Sequence, residues 1–176
     1  MIKQLTFDKR APDLATAASI SLVETELKYL FPATLREFCT RWNGGFVAKS
    51  CELYPVPKEF REFHSEYRKS TGVLVPILFG ATAKFEQCSL LAEYRSYNEY
   101  EDLDMIIPIA SDPFGNRVVL RRGDVSDTVY WWDHELWDIP EGSTGPSTDA
   151  LPRLMPIAAS LEAFYNGLTK DSDDGK

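Results

Sequence analysis

The side chains with the widest chemical reach are few in this chain. Of its two histidines, His64 sits in Phe63-His64-Ser65-Glu66 and His134 in Asp133-His134-Glu135. Asp, His and Glu in succession have the composition of a metal site. On a strand, however, consecutive side chains point to opposite faces and rarely ligate one ion together. The spacing fits neither a zincin helix nor a calcium-binding loop, so His134 reads as a surface or turn histidine. Asp112, in Asp112-Pro113-Phe114-Gly115-Asn116, is placed where a carboxylate can act as a general base. An Asp opening a turn also accepts hydrogen bonds from later backbone amides, while Gly and Asn tolerate positive φ, and this structural role is the expected one. Cys39, Cys51 and Cys88 have no second Cys or His at metal-finger spacing. Their odd number leaves one unpaired, as in a reducing compartment. Gly44-Gly45 lacks the Lys-Ser/Thr of a phosphate loop, and no Gly-x-Ser-x-Gly elbow occurs. The expectation is therefore no catalytic residue, no metal and no cofactor.

Aromatic density beside acid is the feature that remains. Tyr130-Trp131-Trp132-Asp133, with Glu135, Trp137 and Asp138, gathers three of the four tryptophans into seven residues. Alternation along a strand assigns Val129 and Trp131 to the core and Thr128, Tyr130 and Trp132 to the other face. Tyr and Trp are enriched at interfaces, and acids beside them suit a basic partner. Burial of both faces under helices or under the segment 138–157 is the competing reading.

The charge has the same focus. The 176 residues carry 19 Lys+Arg and 27 Asp+Glu, a formal net charge of −8. Residues 93–141 alone hold 12 acids and 4 bases. Such a chain repels phosphates and lacks the counterion release that drives general nucleic-acid binding. At 44% hydrophobic and 26% charged residues it is a globular chain of one ordinary domain. The N-terminus has no apolar core of a signal peptide, and the longest apolar runs are about half of what a membrane span needs. The expectation is a soluble, cytoplasmic protein with no membrane contact.

The elements that would position these groups can be read in order. Residues 1–18 form a short strand or arm, residues 19–169 the domain, and residues 170–176 an acidic tail. Ser21 and Glu24 have the form of a capping box for a helix bearing Val23, Leu27 and Leu30. Phe31-Pro32 breaks it. Leu35, Phe38, Cys39 and Trp42 then recur at helical spacing until Asn43-Gly44-Gly45 ends the second helix in a left-handed cap. Residues 51–56 and 72–80 read as strands, with Pro76 marking an edge or bulge. A short helix fits residues 58–70, and Ser89 can cap another. The second half reads as a meander: residues 105–110, the Asp112 turn, residues 117–122, the Gly123-Asp124 turn and residues 128–132. A long Pro- and Gly-rich loop at 138–157 precedes a helix capped by Ser160 and carrying Leu161, Phe164, Tyr165 and Leu168. The fold class is α+β, with a central antiparallel sheet of five to six strands, an N-terminal helix pair and a C-terminal helix.

Three of these stretches, in this order, resemble the SMI1/KNR4 (SUKH) family. Glu24, Leu27, Phe31-Pro32, Leu35-Arg36-Glu37-Phe38 and Trp42-Asn43-Gly44-Gly45 look like its opening helix pair, with Phe31 where Leu is usual. Ile107-Pro108-Ile109-Ala110 followed by Asp112-Pro113-Phe114-Gly115-Asn116 resembles its second signature, and residues 129–135 its closing strand. The resemblance implies an α+β fold. For bacterial members it also implies an immunity protein that binds and blocks a cognate toxin, and for eukaryotic members a regulatory adaptor of cell-wall synthesis. The motif positions Pro32, Trp42, Asn43, Gly44, Gly45, Pro108, Asp112, Gly115 and Asn116 are expected to be structural. Candidate partner contacts are Glu101, Asp102, Asp104, Tyr130, Trp132, Asp133 and Glu135, facing a basic protein surface such as that of a nuclease. A small-ligand or peptide-binding module would require Trp131 and Trp132 to line an apolar pocket. A metal-dependent hydrolase would require Asp112, Asp133 and His134 to converge.

Overall fold

The chain begins as part of the sheet. In the computed structural model, which describes residues 1–61, 72–97, 105–133 and 154–168, strand β1 (Phe7–Arg10) pairs with β2 (Gly44–Val47). Ile2, Leu5, Ala11 and Ala15 are buried around it. Helix α1 (Ala17–Leu27) is capped by Thr16, whose hydroxyl accepts from the Ser19 amide while the Ser19 hydroxyl accepts from the Thr16 amide. This reciprocal cap replaces the one expected from Ser21 and Glu24, because the chain turns helical a full turn earlier. Lys28, at φ +50°, ends α1. Leu30 therefore lies beyond the helix and is exposed, not on its apolar stripe.

Helix α2 (Ala33–Arg41) starts after Pro32 and buries Leu35, Phe38 and Cys39. Asn43 and Gly44 follow at φ +52° and +87°, the left-handed geometry that Asn and Gly tolerate best. Gly44 is needed for a second reason: a Cβ there would lie 2.6 Å from the Gly80 nitrogen. The helix pair is thereby keyed into the sheet beneath it.

Seven strands form the main sheet in the order β1-β2-β5-β6-β7-β8-β9, one or two more than the sequence suggested. Every neighbouring pair is antiparallel. The members beyond β2 are β5 (Ile77–Phe79), β6 (Ile106–Ser111), β7 (Arg117–Arg121), β8 (Val129–Trp132) and β9 (Leu154–Ala158). The apolar run 72–80 is two strands in two sheets. β4 (Gly72–Leu74) pairs with β3 (Leu53–Pro55) in a separate ribbon, and the chain crosses at Pro76 to join the main sheet as β5. β9 corrects the reading of 138–157 as loop to its end. Its Pro156 masked it in the sequence, yet a strand at the sheet margin can omit an amide donor. Pro108 is accommodated differently, next to a register shift in the β6–β7 pairing and away from the β5–β6 contacts at Ala110 and Ser111.

Short helices α3 (Lys58–Arg61), α4 (Leu90–Tyr97) and α5 (Leu161–Gly167) complete the described architecture. Ser160 caps α5, its hydroxyl accepting from the Ala163 amide, as its sequence suggested. α5 stacks Tyr165 on Phe38 of α2, with ring centroids 4.7 Å apart and an interplanar angle of 9°. The main core joins α1, α2 and α5 to Ile107, Ile109, Val118, Leu120, Val129 and Trp131 of the sheet. Among the described residues no helix is long and apolar enough to cross a membrane.

Candidate functional site on the meander

The β6–β7 turn is built around one buried carboxylate. Asp112 Oδ1 accepts from the Phe114 amide at 2.8 Å and the Asn116 amide at 2.9 Å. Its Oδ2 accepts from Asn116 Nδ2 at 2.7 Å and Trp131 Nε1 at 3.3 Å. Arg117 donates to the Gly115 and Asn116 carbonyls and forms an ion pair with Glu93 of α4. All of this capacity serves the turn and its attachment to β8 and α4. Asp112 is thus the acceptor around which the turn closes.

A second buried carboxylate shapes the helix pair. Glu24, 6% exposed, accepts from the Phe31 amide at 2.7 Å and from Arg36 Nη2 at 2.6 Å. It pins the α1–α2 corner across the Phe31-Pro32 break. Arg122 closes the same helix from the sheet, donating to the Leu27 and Lys28 carbonyls, each at 2.7 Å. These are the orphan acceptors of a helix end, for which a cation is the preferred partner.

Two of the buried cysteines, Cys39 and Cys88, are held in the thiol form. Burial pushes the Cys39 thiol up to about 12, against the opposing Ala81 amide, and the Cys88 thiol up to about 11, against Lys9. Both therefore stay protonated at neutral pH. No group of three or more His, Cys, Asp or Glu that could hold a metal ion occurs among the described residues. His64 and His134 lie outside those residues.

Alternation along β7 and β8 divides the sheet residues as period two requires. Val118, Leu120, Val129 and Trp131 join the main core, while Val119 and Trp132 pack with Ile106 in a smaller cluster flanked by Tyr130 and Leu154. Trp132 is only 4% exposed and so is Asp133. The expectation that Trp132 stands on an open face is corrected: the two-sided burial weighed against it is what the fold adopts here. Tyr130 is half-buried, and its hydroxyl donates to Asp124 at 2.8 Å. Burial first, then that hydrogen bond and the negative charge of Asp124, push its phenol up to about 12.

Glu101, Asp102, Asp104 and Glu135 lie outside the described residues. Their points of attachment are nevertheless defined. Residues before 105 reach the sheet where β7 ends, since the Arg122 amide donates to the Met105 carbonyl at 2.7 Å. Residues after 133 leave beside the start of β7, where Arg117 faces Trp132. The two acidic segments thus join the meander at opposite ends, separated by about 15 Å of strand. They also carry most of the local charge. Residues 98–104 hold four acids and residues 134–141 three, with no Lys or Arg in either.

Two features escaped the sequence reading. The Glu93–Arg117 pair joins residues 24 apart and leaves no local pattern. Phe114 is 66% exposed at the tip of the Asp112 turn, and an aromatic inside an otherwise polar turn was the available signal. The family model described as SMI1 / KNR4 family (SUKH-1) matches residues 14–167. The chain belongs to the SMI1/KNR4 (SUKH-1) family. No curated protein matches it. Membership covers the helix pair, the whole meander and α5, and it is consistent with an immunity or regulatory protein-binding module. Within this SUKH-1 chain, Asn43 and Gly44 carry α2 into β2 through left-handed backbone, Gly115 and Asn116 lie in the Asp112 turn, and Trp42 is buried against Phe38.

Proposed function

We propose that this SUKH-1 chain is a non-enzymatic immunity protein that acts in the cytoplasm. It binds a cognate toxin with a basic surface, such as a nuclease, and neutralises it by occluding the active site. The observation that carries this reading is the family membership combined with the placement of charge. Seven acids and no Lys or Arg occupy the two segments, 98–104 and 134–141, that flank the meander in the chain. Charge complementarity of that kind speeds association and suppresses wrong partners more than it adds affinity. Glu101, Asp102, Asp104 and Glu135 are the proposed contributors to steering, and Tyr130 is the proposed contact from the sheet. Trp132 and Asp133, buried as they are, support the surface from beneath.

The test is co-expression with the toxic C-terminal domain encoded immediately upstream. Restored growth and a stoichiometric complex on gel filtration are expected, with an association rate that falls as ionic strength rises. No rescue and no complex would overturn the reading for that pair.

A further inference from the structure

Phe114 is 66% exposed, whereas Trp131, Trp132, Phe164 and Tyr165 are buried and Tyr130 is half-buried. Isolated apolar residues on a surface are ordinary. What sets Phe114 apart is the apparatus that holds its backbone still. Its amide is bound by Asp112 Oδ1, and the Gly115 and Asn116 carbonyls are bound by Arg117. The Asp112 amide closes the turn on the Asn116 carbonyl at 3.1 Å. A buried carboxylate and a guanidinium paired to Glu93 therefore fix a five-residue turn whose tip is an exposed phenyl ring. Those bonds take only the backbone amide of Phe114, so none of them uses the ring.

From this we infer that Phe114 is the anchor of the partner interface, inserting into an apolar pocket on the toxin whose rim is basic. The inference rests on the proposed function and deepens it by naming the residue that supplies affinity. An aromatic with two rotatable side-chain bonds, on a backbone already ordered, loses little entropy on docking. Such anchors carry a disproportionate share of interface energy when they are desolvated in a pocket. The basic rim follows from complementarity to a chain of net charge −8 whose acidic segment 134–141 leaves the sheet beside the start of β7, the strand that the Asp112 turn feeds.

The experiment titrates the full chain into the toxin domain encoded immediately upstream, by calorimetry, alongside Phe114→Ala and Phe114→Asp. Both variants should melt within about 1–2 °C of the native chain, as exposed sites usually do. Phe114→Ala is expected to weaken binding by about 30-fold or more, the range of a hot spot, and Phe114→Asp to weaken it further. Native binding with Phe114→Ala within about threefold of it would overturn the inference and leave the proposed function standing. Failure of the native chain to bind would overturn the functional reading for that pair, and this inference with it. Sedimentation of the chain alone supplies the last arm. Self-association that disappears in Phe114→Ala would assign the ring to a second copy and overturn the toxin pocket.

Discussion

Replacing Asp112 by Asn changes one atom and reverses the chemistry of half the side chain. The amide can keep its oxygen where Oδ1 now accepts from the Phe114 and Asn116 amides. Its nitrogen must then occupy the position of Oδ2, facing Asn116 Nδ2 and Trp131 Nε1, both donors. Two hydrogen bonds become two donor–donor contacts at a site only 7% exposed. Each buried donor that loses its acceptor costs about 1–3 kcal/mol. The 3.3 Å contact to Trp131 belongs at the lower end, so the expected loss is about 2–4 kcal/mol. Asp112→Ala removes the acceptor for all four donors and should cost more than Asn. Urea denaturation monitored by tryptophan fluorescence measures this directly, and an unchanged m-value would show that the unfolded state is not involved. A loss below about 1 kcal/mol for Asn, or Ala tolerated better than Asn, would refute the view of Asp112 as the keystone acceptor of this turn.

The glycines provide a graded test. Gly80→Ala would place a Cβ 2.1 Å from the Asn43 carbonyl oxygen, against backbone, and is expected to prevent soluble folding; Gly123→Ala, at φ +90° with nothing within 4 Å, should cost only about 1–2 kcal/mol by thermal melt. Tyr165→Phe deletes a buried hydroxyl with no hydrogen-bond partner among the described residues, so a change between neutrality and a gain of about 1 kcal/mol is expected in denaturant titration. Alkaline stability follows from the same residue and its neighbour. Burial raises the Tyr165 phenol well above 10 and the Cys39 thiol to about 12, so the folded state holds protons that the unfolded state releases. Stability is complete below pH 9 and falls as pH rises towards 12, by about 1.4 kcal/mol per pH unit for each group. Tyr165→Phe should flatten that fall, and a fall of unchanged steepness would contradict it. Reversing Glu101, Asp102 and Asp104 to Lys together should slow toxin association at low salt with little effect on the melting temperature, as read by stopped flow.

What the sequence disclosed, and what it hid, divides along the range of the interactions. α2 with its Asn43-Gly44-Gly45 ending, the meander turns and the Ser160 cap all rest on residues within a few positions of one another, so their types alone specify them. α1 was legible as a helix but not in its ends, because Glu24 is spent on Phe31 and Arg36, a tertiary duty that mimics a capping pattern. The split of 72–80 into β4 and β5 depends on partners at Leu53 and Gly44, far away in the chain. β9 was concealed by proline richness, which weighs against strands in general but not at a sheet margin. For the site, composition located the acidic, aromatic region, but it could not tell which aromatics are covered. Period two placed Trp132 opposite Trp131 correctly; whether that second face is open is a property of packing, not of period.

The order of the strands has a consequence for how the molecule assembles. β6, β7 and β8 are neighbours both in the sheet and along the chain, joined by turns of a few residues. Every other pairing in the main sheet closes a loop more than twenty residues long, around the helix pair, the β3–β4 ribbon, α4 or the segment before β9. Closing the short loops costs least entropy, so hairpins at 106–132 are the natural nucleus on which the remaining strands condense. The carboxylate of Asp112 then sits inside the region that orders first. Its variants should slow folding and leave unfolding rates nearly unchanged, whereas Glu24 variants, at a corner that docks later, should do the reverse.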